Sequence, residues 1–590
     1  FLLLLSLLGL CACPGQAQSE TAYKLHYSSF LGASDFEQSR NIAVDKQGNI
    51  YVSGGTSSPD FPTTPGVYQE DYDDRGSSTV GNWGPMAVFV SKFSPNGELL
   101  WSTFIGGPSY DRTYAIEVAD NGLIYIVGRA GEGYPTTPGA FQSTFATDGA
   151  RNGLYGHQNG FVSILSPDGK ELLYSTYYGA DAHGFFRDID IDDQGNVYGI
   201  LNAVRRAAPG IKTDAFDTNH NGGQFDMAAV KFSPHLDSVI WATMLGGSGK
   251  DRGGPSIRVG TDYSVFVAGG TESRDFPVTS GSVQTQFGGG RTDMFVARLK
   301  PDGTDLIYCS YFGGNDFDVT ETHGLWVDDH NQAHVACGTK STDIQTTPGA
   351  IKATKPGDDI DALLFKLSSD GSDLMACSYY GGSGNDYSEG LFTGPDGDLY
   401  FGGTMGSDDL PVTSQAYQTS YAGGEDAFIA RVDSNFTELK YSSYFGGSEM
   451  DAIRAFAAGP NGTIVFGGQT QSNDMPTTAG AFQEQRLVEN DRADCFVGIL
   501  TPDLMSSIGS VEEKESIAPW PNPTDEYLHF KGGHKKRQVS IHHPTGPLLY
   551  QSDLRKSALR IPVFDYNPGL YYYSVLYENG TQKSGKFIKL

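Results

Sequence analysis

An all-β chain of seven repeated units is predicted by three observations. A strand-like run closed by paired small residues recurs as YSSFLGA at Tyr27, WSTFIGG at Trp101, YSTYYGA at Tyr174, WATMLGG at Trp241, YCSYFGG at Tyr308, ACSYYGG at Ala376 and YSSYFGG at Tyr441. Successive copies start 65 to 74 residues apart, a spacing that means stacked copies of one supersecondary unit, none able to bury its apolar face alone. Each copy holds four short runs rich in Val, Ile, Phe and Tyr, bounded by Gly, Asn, Asp and Pro, which is the composition of strands and tight turns. Four strands and three connections, repeated seven times, predict a seven-bladed β-propeller of four-stranded antiparallel blades over residues 25–505.

The first copy shows the internal order: IAVD at Ile42, a DKQGN turn, IYVSGGT at Ile50, the loop DFPTTPGVYQ at Asp60, AVFVSKF at Ala87, an SPNGE turn and LLWSTFIGG at Leu99. Near-continuous apolar runs such as LIYIV at Leu123, VFVA at Val265 and IVF at Ile464 fit strands covered on both faces by neighbouring blades. The chain enters at LHYSSFLG (residues 25–32), the last strand of a unit, and leaves the array at DCFVGIL (residues 494–500), the strand before it. The entering strand is therefore expected to complete blade seven and remove two sheet edges open to aggregation. These motifs resemble the SBBP family of seven-bladed β-propeller repeats, through FPTTPGVYQ at Phe61, YPTTPGAFQ at Tyr134, FPVTSGSVQ at Phe276, IQTTPGAIK at Ile344, LPVTSQAYQ at Leu410 and MPTTAGAFQ at Met475. The third copy departs, reading NAVRRAAPGIKTDAFD from Asn202. The resemblance implies the fold and almost nothing about chemistry.

Segments flanking the repeats carry addresses. FLLLLSLLGLCACPGQAQ is an apolar core followed by small residues, too short to cross a bilayer and typical of a secretory signal over residues 1–17; cleavage after Ala17 is favoured over lipidation of Cys13. No other segment suggests a membrane span. A polar linker over residues 506–516 leads to residues 517–590, where alternating apolar positions between Pro and Gly turns suit a small β-sandwich. Pro521, Asn522 and Pro523, the PGLY at Pro568 and the closing KFIKL resemble the type A C-terminal sorting domain of type IX secretion. That resemblance implies recognition by the type IX machinery and delivery to the outer-membrane surface or surroundings of a Gram-negative bacterium.

The net charge of −29 is unevenly shared: residues 511–590 hold eleven Lys or Arg against eight Asp or Glu, which leaves −32 on residues 1–510. So acidic a propeller is unsuited to nucleic acid, whose phosphates need a positive surface; divalent cations, basic proteins and neutral glycans are admitted as partners. Beyond the leader lie Cys309, Cys337, Cys377 and Cys495. Cys309 and Cys377 take a slot held elsewhere by Ser28, Ser102, Ser175 and Ser442, and Cys495 takes that of Ala427, so they read as small buried strand residues and not as a disulfide or metal set.

Function is expected where the long connections gather. In an antiparallel blade alternate connections share a face, and those before IAVD and after GGT are the long ones. Insertions from Gln69 and from Gln142 enlarge that face and bring Trp83, Tyr155 and His157, side chains suited to stacking on a sugar or peptide. Four positions after each pair of small residues an acid recurs as Glu37, Asp111, Asp251, Asp318, Asp386 and Asp451, with Gly184 beside His183 in the third copy. Two readings stand: a ring of carboxylates near the channel mouth that binds Ca²⁺ or a cationic group, or side chains that accept backbone N–H bonds to fix each loop. Blade three adds Arg187, Arg205 and Arg206, suited to bidentate contacts with the carboxylate or sulfate of an anionic glycan, or else the drift of one repeat. Asp217, Asn219, Asn221 and Gly222 resemble the front of a calcium loop, yet Ala228 stands where a bidentate Glu is needed.

GxSxG and HExxH are absent, and His323, His330 and His334 lack a spacing that recruits partners. No residue is assigned a catalytic role, and no cofactor is expected beyond a candidate Ca²⁺. The expected protein is a ligand-binding, adhesion or scaffold propeller for an extracellular glycan or protein. The alternative is a carbohydrate-active enzyme, a glycan hydrolase or lyase sited on the long-loop face.

Overall fold

The computed structural model describes residues 22–73, 75, 84–146, 154–179, 184–320, 322–487, 492–503, 527–531, 536–543, 548–553, 558–577 and 582–589. Seven antiparallel sheets follow one another in chain order, each running from an innermost to an outermost strand. In blade one, Glu37–Val44 pairs with Ile50–Thr56, which pairs with Ala87–Phe93, which pairs with Leu99–Ile105. Middle strands such as Ile50–Thr56, Val265–Thr271 and Asp293–Leu299 are buried from end to end, because a neighbouring blade covers each face. The apolar clusters accordingly span blade junctions. Phe266, Met294 and Val296 of blade four pack with Val335, Leu363 and Phe365 of blade five, and the Phe312 and Phe365 rings stack with centroids 3.8 Å apart. Each such side chain contributes about 1.5–3 kcal/mol on burial, so the junctions and not the single blades hold most of the stability.

Blade seven takes Asp451–Ala458, Ile464–Thr470 and Asp494–Pro502 from the end of the array, and its outermost strand, Tyr23–Leu31, from the start. Phe30 lies opposite Phe496 and Tyr27 opposite Ile499. The last long loop clamps this strand: Phe30 N–H donates to the Gln483 carbonyl at 3.0 Å, Thr478 N–H to the Ser28 carbonyl at 3.0 Å, and Gly32 N–H to Gln483 Oε1 at 3.1 Å.

The glycine at the fifth position of the second strand answers a packing demand. Innermost strands of blades one, two, six and seven carry a β-bulge near their start, at Ser39/Asn41, Thr113/Ala115, Ser388/Gly390 and Ile453/Ala455. The bulge drives a carbonyl towards the second strand. A Cβ on Gly54, Gly128, Gly403 or Gly468 would lie 2.0, 2.1, 1.9 or 1.7 Å from the main-chain oxygen of Gln38, Arg112, Tyr387 or Ala452 respectively. Gly468→Ala is therefore expected to cost about 3 kcal/mol, the upper end of the usual overpacking penalty, read as a lower midpoint in denaturant unfolding.

A second compact unit begins after residue 507. In it Tyr527–Lys531 pairs with Ala558–Pro562, and a second sheet orders Leu548–Asp553, Lys536–His542, Gly569–Tyr577 and Gln582–Lys589. The two sheets enclose Leu528, Phe530, Val539, Ile541, Ile561 and Phe587, which makes a small β-sandwich. Pro521, Asn522 and Pro523 lie outside the described residues. Among the described residues no helix is long and apolar enough to cross a membrane, and Cys309, Cys337, Cys377 and Cys495 are buried, unbonded thiols.

Candidate functional site at the channel mouth

The six recurring acids do not open onto solvent. Glu37, Asp111, Asp251, Asp318, Asp386 and Asp451 are wholly buried. Each accepts the main-chain N–H four residues earlier: Ala33 at 3.1 Å, Gly107 at 2.8 Å, Gly247 at 2.7 Å, Gly314 at 2.8 Å, Gly382 at 2.6 Å and Gly447 at 2.7 Å. A further donor comes from the end of the second strand, a hydroxyl of Thr56, Ser273, Ser341, Ser407 or Ser472, or for Asp111 the Gly131 N–H. The reading of a solvent-facing ligand ring is thereby corrected: a four-residue reach back to its own turn is what fixes the spacing of these acids. Burial, only partly offset by those donors, raises Glu37 to about 8, Asp111 to about 7, and Asp318 and Asp386 to about 6.

Three positions further along the same strands, side chains gather at the axis. A cavity of about 510 Å³ is lined by Arg40 of blade one, Arg187 of blade three, Lys250, Arg252 and Arg291 of blade four, and Arg454 of blade seven, with Glu272 the one acid among the described residues of its lining. Residues of blades so far apart in the ring meet only where the channel opens, and the loops that supply Lys250, Arg252 and Arg291 place this mouth on the long-loop face. A neighbouring cavity of about 550 Å³ shares Arg40 and adds Arg112, Tyr110, Tyr155, Gln38 and Gln469. Arg112 donates to Gln38 Oε1 at 2.7 Å, Arg454 pairs with Glu389, and Glu272 faces Arg291 at 3.2 Å.

Tyr114 sits at the centre of these cations. The guanidinium groups of Arg40, Arg112, Arg129 and Arg187 lie 5.4, 4.7, 5.2 and 4.7 Å from its ring centroid, and Arg112 and Arg129 both donate to its hydroxyl. Burial alone would raise the phenol, but the four arginines outweigh it and bring Tyr114 down to about 6. Arg40 is pushed down to about 9 by burial and by Arg112 and Arg454 beside it. Among the described residues the cluster is thus short of negative charge, and the Tyr114 hydroxyl is the acceptor its arginines share.

Below the mouth a polar plug closes the axis. The innermost strand of blade five is broken between Asp318–Val319 and Leu325–Val327, and His323, at φ 70°, swings across. Its Nδ1 lies 3.1 Å from Asp188 Oδ1, and its Nε2 lies 2.7 Å from Asn41 Nδ2 and 3.1 Å from the Tyr114 carbonyl. Asp188 also accepts Arg258 Nη1 at 2.8 Å and Ile257 N–H at 3.1 Å. Five blades are tied together here. Beyond the plug the wall turns acidic: Glu117 is raised to about 8 by burial and by Asp190 and Asp188.

The remaining candidates are placed as follows. Tyr155 is half-buried at the mouth, against the Tyr110 ring at 4.9 Å and under Arg129 at 4.6 Å. The His157 carbonyl accepts Gln158 Nε2 at 2.8 Å. Arg205 flanks Arg252 across the Phe225 ring, 4.9 and 5.7 Å from its centroid, while Arg206 is exposed. Trp83 and His183 lie outside the described residues. Asp217 accepts the Asn219 N–H at 2.9 Å and the Asn221 amide, and Asn221 N–H donates to Asp226 Oδ2 at 2.7 Å. These residues cap a loop whose counterparts in other blades, such as Gly288 N–H on Asp293, do the same without a calcium-like pattern. A larger cavity of about 600 Å³ lies on the tight-turn face between blades five and six; its Asp328 and His334 are tied to each other at 3.0 Å and it lacks the cationic excess of the mouth. Arg40, Tyr114, Arg252 and Arg454 had escaped the reading of the sequence, although counting three onward from the recurring acids reaches Arg40, Tyr114, Gly254, Glu321, Glu389 and Arg454, and from Gly184 in the third copy Arg187.

Residues 30–62 match the family model described as a β-propeller repeat, and residues 518–590 match the secretion system C-terminal sorting domain. The regulatory protein FlaEY of Caulobacter vibrioides is 23% identical over 346 residues, which are 56% of this chain and 33% of that one; the chain thus spans about a third of that curated relative. A protein of unknown function from Dyadobacter fermentans shares 10% identity at a TM-score of 0.38, over 82% of this chain and 99% of that one. PorZ, a surface component of the type IX secretion system of Porphyromonas gingivalis, shares 12% identity at a TM-score of 0.25, over 95% of this chain and 75% of that one.

Proposed function

From a β-propeller carrying a type IX sorting domain, and so exported to the surface or surroundings of a Gram-negative bacterium, we propose a protein that binds a glycan bearing carboxylate or sulfate groups at its channel mouth. The observation that carries this reading is the convergence of Arg40, Arg187, Arg252 and Arg454 on one cavity in a chain of net charge −29. Crowding guanidinium groups together costs energy unless an anion neutralises them, and their planar forks suit carboxylate and sulfate oxygens. Tyr155 beside Arg112 supplies an aromatic face for a sugar ring. The overall negative charge keeps polyanions from sticking indiscriminately, so recognition is confined to the mouth.

Binding of the full chain to uronate-bearing and sulfated oligosaccharides, with neutral counterparts alongside, tests the proposal. Arg252→Ala and Arg187→Ala are each expected to weaken anionic ligands about tenfold or more, since a charge-assisted hydrogen bond contributes about 1.5–3 kcal/mol and about 1.4 kcal/mol is a factor of ten. Equal affinity for desulfated or neutral sugars would sink the reading. Tyr114 favours a second one, eliminative cleavage of a uronate, which needs guanidinium groups on the carboxylate and a base for the neighbouring proton. Its ring is only 1% exposed, so binding leads, and unsaturated sugar ends among the products are the result that reverses the order.

A further inference from the structure

Five blade junctions bury a second acid beside the recurring one. It opens the third strand of its blade: Asp494 beside Glu37, Asp226 beside Asp251, Asp293 beside Asp318, Asp361 beside Asp386 and Asp426 beside Asp451, all wholly buried. One oxygen of each third-strand acid accepts a main-chain N–H, from Leu487, Asn221, Gly288, Gly357 and Ala422 respectively. The other, Oδ1, has no hydrogen-bond donor in any of the five. Glycine keeps the space between the acids open: a Cβ on Gly313 would lie 2.8 Å from both Asp293 Oδ1 and Asp318 Oδ2, and one on Gly446 would lie 2.9 Å from both Asp426 Oδ1 and Asp451 Oδ2.

The other two junctions act as internal controls. Asp111 meets Ala87, with no second acid. In blade two Asn159 stands in place of the aspartate, and its amide is satisfied by the Ala146 N–H at 2.9 Å and the Ala146 carbonyl at 3.2 Å. At Asp361 the chain supplies its own cation, Lys355, whose buried ammonium lies 2.6 Å from the carboxylate. At Asp494 the acid hydrogen-bonds to Glu37, with Arg486 nearby. Three pairs of carboxyl groups remain, with a gap held by glycine or by the adjoining turn and, among the described residues, no ion pair to a side chain: Asp226 with Asp251, Asp293 with Asp318, and Asp426 with Asp451.

We propose that each of these three pairs holds one divalent cation with calcium's preference for oxygen ligands. Lys355 shows that this position accepts positive charge, and a dication neutralises the pair where a single proton leaves it anionic. Two carboxylates supply at most four oxygens, and among the described residues no cluster of three or more metal-binding side chains exists; main-chain carbonyls and water complete the shell. So lean a donor set places the sites with extracellular calcium modules, at a Kd of about 10⁻⁴–10⁻³ M.

The test strips the full chain with a chelator, then measures bound calcium by equilibrium dialysis and thermal unfolding with and without the ion. Three ions per chain are expected, with a Tm that rises with calcium; Asp293→Asn and Asp426→Asn should each remove one ion, and Asp361→Asn none. Absence of bound calcium, or a stoichiometry unmoved by both Asp293→Asn and Asp426→Asn, overturns the proposal. In that event stability falling between about pH 5 and 8, whatever the calcium level, would identify the occupants as shared protons.

Discussion

Removal of residues 23–31 should abolish cooperative unfolding of the propeller. That strand is the outermost of blade seven, and Tyr27, Phe30 and Leu31 are buried in the clusters that join blade seven to its neighbours. At about 1.5–3 kcal/mol for each buried side chain, the three together are comparable to the about 5–15 kcal/mol that typically separates folded from unfolded domains. The loss also bares the edge of Asp494–Pro502 and removes the hydrogen bonds that tie Phe30 and Ser28 to Gln483 and Thr478 of the last loop, so aggregation is the expected outcome. Phe30→Ala is the milder form and should cost about 3–5 kcal/mol. Denaturant unfolding with size-exclusion chromatography distinguishes the cases: a truncated chain that unfolds in one sharp, reversible transition shows that the clasp is dispensable.

Asp188→Ala should be nearly as damaging, although Asp188 is one residue in blade three. It is the hub of the plug, and its loss strands Arg258 and His323 in the channel. Breaking a buried pair by removing one partner costs about 3–5 kcal/mol. Burial works to raise this carboxyl, but Arg258, then His323 and the Ile257 N–H, hold it below the usual aspartate range. A depressed folded pKa means stability that is present above the unfolded value of about 3.9 and lost as pH falls through the folded one. Glu37 and Asp111, raised to about 8 and about 7, have the opposite sign: their contribution is present at low pH and lost as pH rises through those values. Urea midpoints near pH 3, 5 and 7 should therefore show wild type and Asp188→Ala converging in acid and parting above it. A constant gap across that range contradicts the assignment.

Blade number and ring closure were legible because repetition reports them many times over: seven copies of one terminal strand, and an array that begins on its last strand, leave little else for the chain to do. The recurring acids were visible for the same reason, but recurrence alone does not tell how a carboxylate is anchored; the N–H donors four residues back show that each is tied to its own turn and not open to solvent. The cationic mouth was obscured because it is built where the copies differ, with Arg, Tyr and Glu sharing one register position. His323 was dismissed for want of partners close in sequence, yet its partners Asn41 and Asp188 stand 282 and 135 residues away and meet it only because blades converge on an axis. The second acid at each junction passed unnoticed because DAFV-type strand openings look like ordinary polar starts, and only stacking sets them beside the next blade's carboxylate.

The bridge from His323 to Asp188 and Asn41 makes the centre of the ring a blind well, not a conduit. A long polysaccharide cannot thread through it; what fits is a terminus or a side branch dipped in from one rim. Discrimination would then rest on the outermost one or two sugars, and a polymer capped at its tip should escape notice however many acidic groups it bears along its length.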